Sequence, residues 1–187
     1  MRVIAGSAKG RRLHPPAGSR VRPTADRVKE ALFSTLTSRF GSFEGLTVLD
    51  LFSGSGALGI EALSRGAAKG LFVDSHPESI ALTRKNLDLT GFAAAATLLM
   101  LDADKALQRF FSEGVHFDII LVDPPYAAKE LSERILDLLA DLMLISSNGV
   151  IVFETDSGYE LSLPDTFHLD SRKVYGDTAL SFFELAD

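Results

Sequence analysis

Short apolar runs and segments with helical spacing take turns along residues 47–154. The runs Thr47–Phe52, Gly70–Asp74, Ala96–Leu101, Phe117–Val122 and Gly149–Glu154 predict strands. The segments Ala57–Arg65, Pro77–Leu89, Ala103–Phe111 and Lys129–Leu142 predict helices between them. Such alternation implies right-handed crossovers, hence a parallel sheet with helices on both faces. The runs are apolar at successive positions, as strands covered on both faces require. Beyond residue 154 the pattern changes. Phe167–Tyr175 and Ala179–Leu185 flank Gly176-Asp177, a hairpin signal, so an antiparallel pair is expected to finish a seven-stranded α/β sheet.

The first 46 residues lie outside this alternation. Residues 2–4 and 11–14 predict a short hairpin around Gly6 to Gly10. Residues 15–23, with three prolines and a glycine, read as an extended connector. A helix is expected from Thr24, which can cap it. Val28, Ala31, Leu32, Thr35 and Leu36 form its apolar stripe, and Gly41 and Gly45 end the segment. The alanine tract 93–96 reads as a tolerant loop. One domain over 1–187 is expected, with 1–23 as a basic arm and 24–187 as a helix plus the wound core.

Composition narrows the chemistry. There is no cysteine, which removes disulfides and thiolate chemistry. The four histidines show no ligand spacing, so no metal is expected. No run of about 18 apolar residues occurs and the N-terminus lacks a signal-like stretch, so the expectation is a cytoplasmic protein without a membrane partner. The net charge of −6 argues against a polyanion partner until its distribution is considered. Residues 1–40 hold nine basic and two acidic residues; the rest holds ten basic and 23 acidic. A basic arm on an acidic body suits a polyanion approaching from one side.

Two motifs carry the chemistry. Leu49-Asp50-Leu51-Phe52 runs into Ser53-Gly54-Ser55-Gly56-Ala57-Leu58-Gly59, whose glycines match G-x-G-x-x-G after a strand and before a helix. Asp74, 20 residues beyond Gly54 at the end of the next predicted strand, is placed to accept from ribose hydroxyls. An adenosine-containing ligand is therefore expected over the sheet's C-terminal edge. NAD and S-adenosylmethionine both qualify. Asp50 favours the second, because a carboxylate beside the loop repels pyrophosphate and attracts an ammonium or sulfonium. Asp102, at the end of the third predicted strand, can accept from the adenine amino group while the Ala103 N–H faces the ring edge; Asp102 can equally serve as a helix cap. The second motif is Asp123-Pro124-Pro125-Tyr126, directly after the run Phe117–Val122. The prolines stiffen the turn and donate no N–H. The Asp123 carboxylate and the Pro124 carbonyl can accept the two protons of an exocyclic amine, and the Tyr126 ring can stack on the base carrying it.

Asp50-Leu51-Phe52-Ser53-Gly54-Ser55-Gly56, Asp74 and Asp123-Pro124-Pro125-Tyr126 resemble the class I methyltransferases that act on exocyclic amines. The N-terminal run Arg2-Val3-Ile4-Ala5-Gly6, Lys9-Gly10-Arg11-Arg12-Leu13 and Arg22 to Phe33, with Tyr175-Gly176-Asp177-Thr178, resembles more narrowly the RsmD family of bacterial small-subunit ribosomal RNA methyltransferases. The resemblance spans essentially the whole chain. It implies a Rossmann-like class I methyltransferase fold and S-adenosylmethionine as cofactor, held by Asp50, Ser53, Gly54, Gly56, Asp74, Asp102 and Ala103. It implies Asp123, Pro124 and Tyr126 as the catalytic set. It implies methylation of the N2 amine of guanine 966 in 16S ribosomal RNA, within the small subunit or its late precursor, by a monomer. Asp74 departs from the family, which more often has Glu there. Lys9, Arg11, Arg12, Arg20 and Arg22 are the expected RNA contacts, although Arg22, Thr24 and Arg27 could instead close over the methionine end of the cofactor. D-P-P-Y also occurs in adenine methylases, so an N6-adenine enzyme is the alternative on motif grounds. An NAD-dependent oxidoreductase is the more remote one, lacking a Tyr-x-x-x-Lys pair or a positioned histidine.

Overall fold

The alternation of residues 47–154 folds as a wound sheet in a computed structural model, which describes residues 1–16, 23–125 and 129–186. The strands are β1 (Thr47–Asp50), β2 (Lys69–Asp74), β3 (Ala96–Met100), β4 (Phe117–Val122), β5 (Ile145–Asp156), β6 (Phe167–Tyr175) and β7 (Thr178–Leu185). The helices are α1 (Pro23–Phe40), α2 (Ala57–Ser64), α3 (Pro77–Thr90), α4 (Ala103–Ser112) and α5 (Lys129–Leu142). Among the described residues they form one sheet in the order β3-β2-β1-β4-β5-β7-β6. Strands β1 to β5 pair in parallel, and β7 runs antiparallel between β5 and β6. This is the expected fold.

Alternation of side chains divides the core in two. Val48, Phe72, Leu121, Val152 and Phe182 face one side, where α1, α2, α3 and the N-terminal hairpin pack. Leu49, Val73, Ile120, Phe153 and Phe183 face the other side with α4 and α5. No helix of the described residues is long and apolar enough to cross a membrane.

Several boundaries shift by a residue or two, and three departures from the expected elements are larger or change an element's type or start. The first helix begins at Pro23 rather than after a Thr24 cap; proline suits the first helical position, where no N–H partner is needed. Strand β5 starts at Ile145, four residues early, because Ile145 pairs with Phe117 before a bulge breaks the ladder. The polar run Ser146-Ser147-Asn148 hid that extension. The alanine tract forms a 3-10 turn over Ala93–Ala95.

The N-terminal hairpin exists, closed by Val3 N–H to the Arg11 carbonyl and Gly10 N–H to the Val3 carbonyl, both 2.9 Å. Residues 1–16 are not a free arm, however. Val3, Ala8 and Leu13 are buried in the core. The fully buried Glu61 of α2 accepts from Ile4 N–H at 2.7 Å and Ala5 N–H at 2.9 Å. Arg65 donates to the same carboxylate at 2.9 Å, and the Lys29 ammonium stands 3.6 Å from it while donating to the Arg2 carbonyl at 2.6 Å. Burial lowers the Lys29 pKa, and Glu61 opposes that shift. Ser64 accepts from Ala8 N–H and donates to the Ala5 carbonyl, at 3.0 and 2.6 Å. Asn86 of α3 both accepts from and donates to the His14 backbone. Gly6 crosses α2 so closely, with φ +81°, that a Cβ there would sit 1.7 Å from the Ser64 carbonyl oxygen. The sequence reading treated 1–23 as an appendage because it weighed the arginines and not the buried carboxylate waiting in α2.

Removing one member of a buried ion pair leaves the other charge uncompensated, typically at about 3–5 kcal/mol. Glu61→Ala is therefore expected to lower unfolding free energy by about 3 kcal/mol or more in urea melts, and to expose residues 1–16 to protease. A loss below about 1 kcal/mol would show that the hairpin is held by its apolar contacts instead.

Candidate active site

The glycine loop is built by its neighbouring acids before any ligand is considered. Asp50, at the end of β1, accepts from the Gly59 N–H at 2.9 Å and so holds the start of α2. Asp74, at the end of β2, accepts from the Gly54 N–H at 2.9 Å and from the His76 N–H at 2.9 Å. Thr83 donates to the Gly54 carbonyl and Asn86 to the Ser55 carbonyl, at 3.0 and 2.8 Å. The three glycines have different reasons. A Cβ at Gly56 would meet Thr83 Cγ2 at 2.8 Å, and one at Gly59 would meet the Phe72 ring at 2.3 Å. Both serve packing within the protein. Gly54 alone of the three faces open space, the nearest atom beyond its chain neighbours being 4.0 Å from a built Cβ.

A cleft of about 500 Å³ opens above this loop. Phe52, Ser53, Gly54 and Ser55 form one wall; Asp123 and Glu154 with the hairpin turn Gly176-Asp177-Thr178 form another. Lys29 of α1 and Met1 and Pro16 of the N-terminal hairpin close a third. Asp50 lies at its floor. The sheet explains why three acids meet here. Asp50 pairs with Leu121, and Leu121 with Val152. Two residues further on, Asp123 and Glu154 leave adjacent strands at the same level, on the same face. Where the alternation places apolar side chains deeper in the sheet, it places carboxylates at the rim.

Burial governs their titration. It raises Asp50 to about 7, against the Gly59 hydrogen bond, with a further rise from Asp74. Burial, then Glu154 and Asp50, push Asp123 well above the usual carboxylate range. Ser53, only 6 % exposed, has no hydrogen-bond partner for its hydroxyl among the described residues.

The other expected site residues are placed as follows. Asp74, Asp102, Ala103 and Gly56 are not among the residues lining the cleft. Asp102 sits at the N-cap position of α4 without a side-chain cap, and its exposed carboxylate pairs with Lys105 at 2.8 Å, which holds its pKa down. Pro124 and Pro125 line a depression of about 20 Å³ beyond Asp123, together with Lys129 and Tyr159, room for a water but not a base. Tyr126, Arg20 and Arg22 lie outside the described residues. Lys9, Arg11 and Arg12 are exposed along the hairpin, and Arg11 donates to the Leu89 carbonyl at 3.2 Å. Thr24 falls within the first turn of α1, and Arg27 is exposed. The sequence does not single out Glu154, and it suggests a phosphate contact or an exposed helix face for Lys29, which is instead buried and lines the cleft. Glu154 could have been found as the acid ending the strand next to Asp123.

The family model described as Conserved hypothetical protein 95 matches residues 1–184. The chain belongs to that family. Among its relatives is YlbH of Bacillus subtilis (strain 168), provisionally named an rRNA methyltransferase, 37% identical over 98% of both chains. Ribosomal RNA small subunit methyltransferase D of Escherichia coli (strain K12) is 33% identical over 98% of this chain and 89% of its own. A solved hypothetical protein of Thermus thermophilus superimposes with a TM-score of 0.84 at 30% identity, covering 99% of each chain. The family is thus the RsmD family that the N-terminal signature resembles, and its relatives span the hairpin as well as the sheet.

The raised Asp50 carboxyl has a consequence for stability. A folded-state pKa above the unfolded value contributes stability that is complete below about pH 4 and is lost as pH rises through about 7. The melting temperature of the ligand-free protein is therefore expected to fall between about pH 4 and 7 relative to that of Asp50→Asn, which keeps an acceptor for Gly59 but cannot ionise. Parallel profiles for the two proteins would contradict the assignment.

Proposed function

We propose that this protein transfers a methyl group from S-adenosylmethionine to the exocyclic N2 amine of a guanine in small-subunit ribosomal RNA. The observation that carries the reading is the placement of Asp123 in the lining of one cleft together with the glycine loop and Asp50. The residues present fit the cofactor. The cleft is of ligand size, Gly54 leaves room for close approach, the Ser53 hydroxyl awaits a partner, and the carboxylate floor suits a cation rather than a pyrophosphate. Asp50, Ser53 and Gly54 would hold its amino-acid portion inside the cleft, while its ribose and adenine would extend beyond the cleft lining toward Asp74 and toward Asp102 with Ala103. Gly56 supports the loop from behind. The methyltransferase names of relatives support the same activity.

When bound, S-adenosylmethionine supplies a methyl group already activated by its sulfonium. The remaining task is to make a delocalised amine attack. Asp123 and the Pro124 carbonyl each accept one N–H, which draws the nitrogen toward tetrahedral geometry and stabilises its developing positive charge. Tyr126 stacks on the base. The proton passes to the Asp123 carboxylate or to water. Lys9, Arg11 and Arg12, with Arg20 and Arg22, contact phosphates, which position the RNA without reading its sequence. The chain acts as one domain and a monomer, with residues 1–23 facing RNA and 24–187 carrying the chemistry. The small subunit or its late precursor is the proposed setting.

The deciding experiment offers labelled cofactor to deproteinised 16S RNA and to small subunits lacking the modification, then digests the RNA. N2-methylguanosine is expected; labelled N6-methyladenosine would overturn the substrate assignment. Asp123→Ala is expected to cut turnover by about 10²–10³ or more while S-adenosylhomocysteine still binds. Turnover within about tenfold of the parent would rule out amine activation by Asp123. Because residues 1–16 belong to the core, the basic surface is tested by charge rather than by deletion. Replacing Lys9, Arg11 and Arg12 with Gln is expected to reduce the salt slope of RNA binding by about 2. An unchanged slope would remove the hairpin from the RNA interface.

A further inference from the structure

Guanine presents three N–H donors along its Watson–Crick edge, two on N2 and one on N1. Asp123 and the Pro124 carbonyl account for the two on N2. A buried N1–H then needs a third acceptor, because an unpaired donor forfeits its hydration. Resting on the function proposed above, we infer that Glu154 is that acceptor and sets the preference for guanine over bases whose N1 carries no hydrogen.

The sheet supports the assignment. Val122 pairs with Phe153 as the last rung between β4 and β5, so Asp123 and Glu154 follow at one level on neighbouring strands. Neighbouring strands lie about 4.8 Å apart, which suits two acceptors addressing adjacent donors on one base edge. Both residues line the cleft, and both also line the depression behind it, so they form one shared wall. After burial, Glu154 raises the Asp123 pKa more than Asp50 does. Two carboxylates so placed favour a ligand that brings hydrogen-bond donors between them. The partnerless, nine-tenths buried Ser53 hydroxyl, which lines the same cleft, marks the cleft as a ligand site.

Adenine and 2-aminopurine carry a lone pair at N1, where Glu154 would face it with another. Glutamine at 154 removes that repulsion, since its amide can donate. The test uses 16S RNA carrying guanine or 2-aminopurine at the labelled position, introduced by splint ligation and assembled into subunits. 2-Aminopurine keeps the N2 amine and loses only N1–H and O6. Parent protein is expected to prefer guanine by at least about tenfold in kcat/KM, and Glu154→Gln to reduce that ratio by about tenfold or more. S-adenosylhomocysteine affinity, measured by calorimetry, is expected to stay within about threefold. A base ratio unchanged within about twofold overturns the inference. A loss of about tenfold in S-adenosylhomocysteine affinity with that ratio unchanged assigns Glu154 to the cofactor and also overturns it. Should Glu154→Gln not fold, Glu154→Asp keeps the charge but withdraws it by one methylene; it is expected to lower the guanine rate about tenfold or more, and a parental rate overturns the inference. If the parent labels no guanine at all, the functional reading fails first, which separates the two failures.

Discussion

One buried carboxylate organises the half of the molecule that the sheet does not. Glu61 lies in α2 with no exposed surface, and two backbone N–H groups, an arginine and a lysine converge on it. A lone ionised group there would cost several kcal/mol in desolvation. Its partners offset that cost only if the N-terminal hairpin, α1 and α2 are all in place. The hairpin docks through this polar contact together with the burial of Val3, Ala8 and Leu13, and its start and end, Met1 and Pro16, line the cleft. Lys29 belongs to both structures, anchoring the Arg2 carbonyl while lining the same cleft. Assembly of the hairpin and completion of the cleft are one event.

The same economy governs the acids. Asp50 and Asp74 were read from sequence as ligand contacts, and each first holds a backbone N–H of the glycine loop. These roles are compatible, since a carboxylate has about four acceptor positions and a backbone bond uses one. Fixing the loop beforehand lowers the entropy lost on binding. The burden appears in the titration of Asp50 and Asp123, both pushed upward by burial. A ligand that brings positive charge or N–H donors relieves it, and one that brings phosphate worsens it.

How much of this was legible follows from what each pattern encodes. Periodicity reports burial on each face, so Phe117–Val122, Lys129–Leu142 and Phe167–Tyr175 fall where it puts them. It is blind to a ladder that continues through polar residues, which is why Ile145 at the start of β5 was missed. It is blind also to polar docking. Glu61 sits among Ile60, Ala62 and Leu63 as an apparent surface position, and nothing local shows that residues 4 and 5 reach it from 57 and 56 residues away. Strand-end acids were legible as a class, yet their partners were not, because a partner is set by the register between strands. Glu154 escaped attention for that reason. Its strand was recognised, but its level with Asp123 is a property of the β4–β5 pairing.

Register and charge together explain how an acidic protein can address a polyanion. The exposed cations Lys9, Arg11 and Arg12 lie on the hairpin, whereas Asp50, Asp123 and Glu154 lie inside the cleft that the hairpin borders. Phosphates are attracted to the first surface and repelled from the second. Such a cleft disfavours phosphate and suits a ligand of net positive or neutral charge. For the nucleotide substrate proposed above, that separation would hold phosphate outside while admitting the base. A uniformly basic surface would bind RNA more tightly but would let phosphate compete for the cleft. The net charge of −6 is then compatible with the RNA substrate proposed above, because the basic residues concentrate in the first 40 positions.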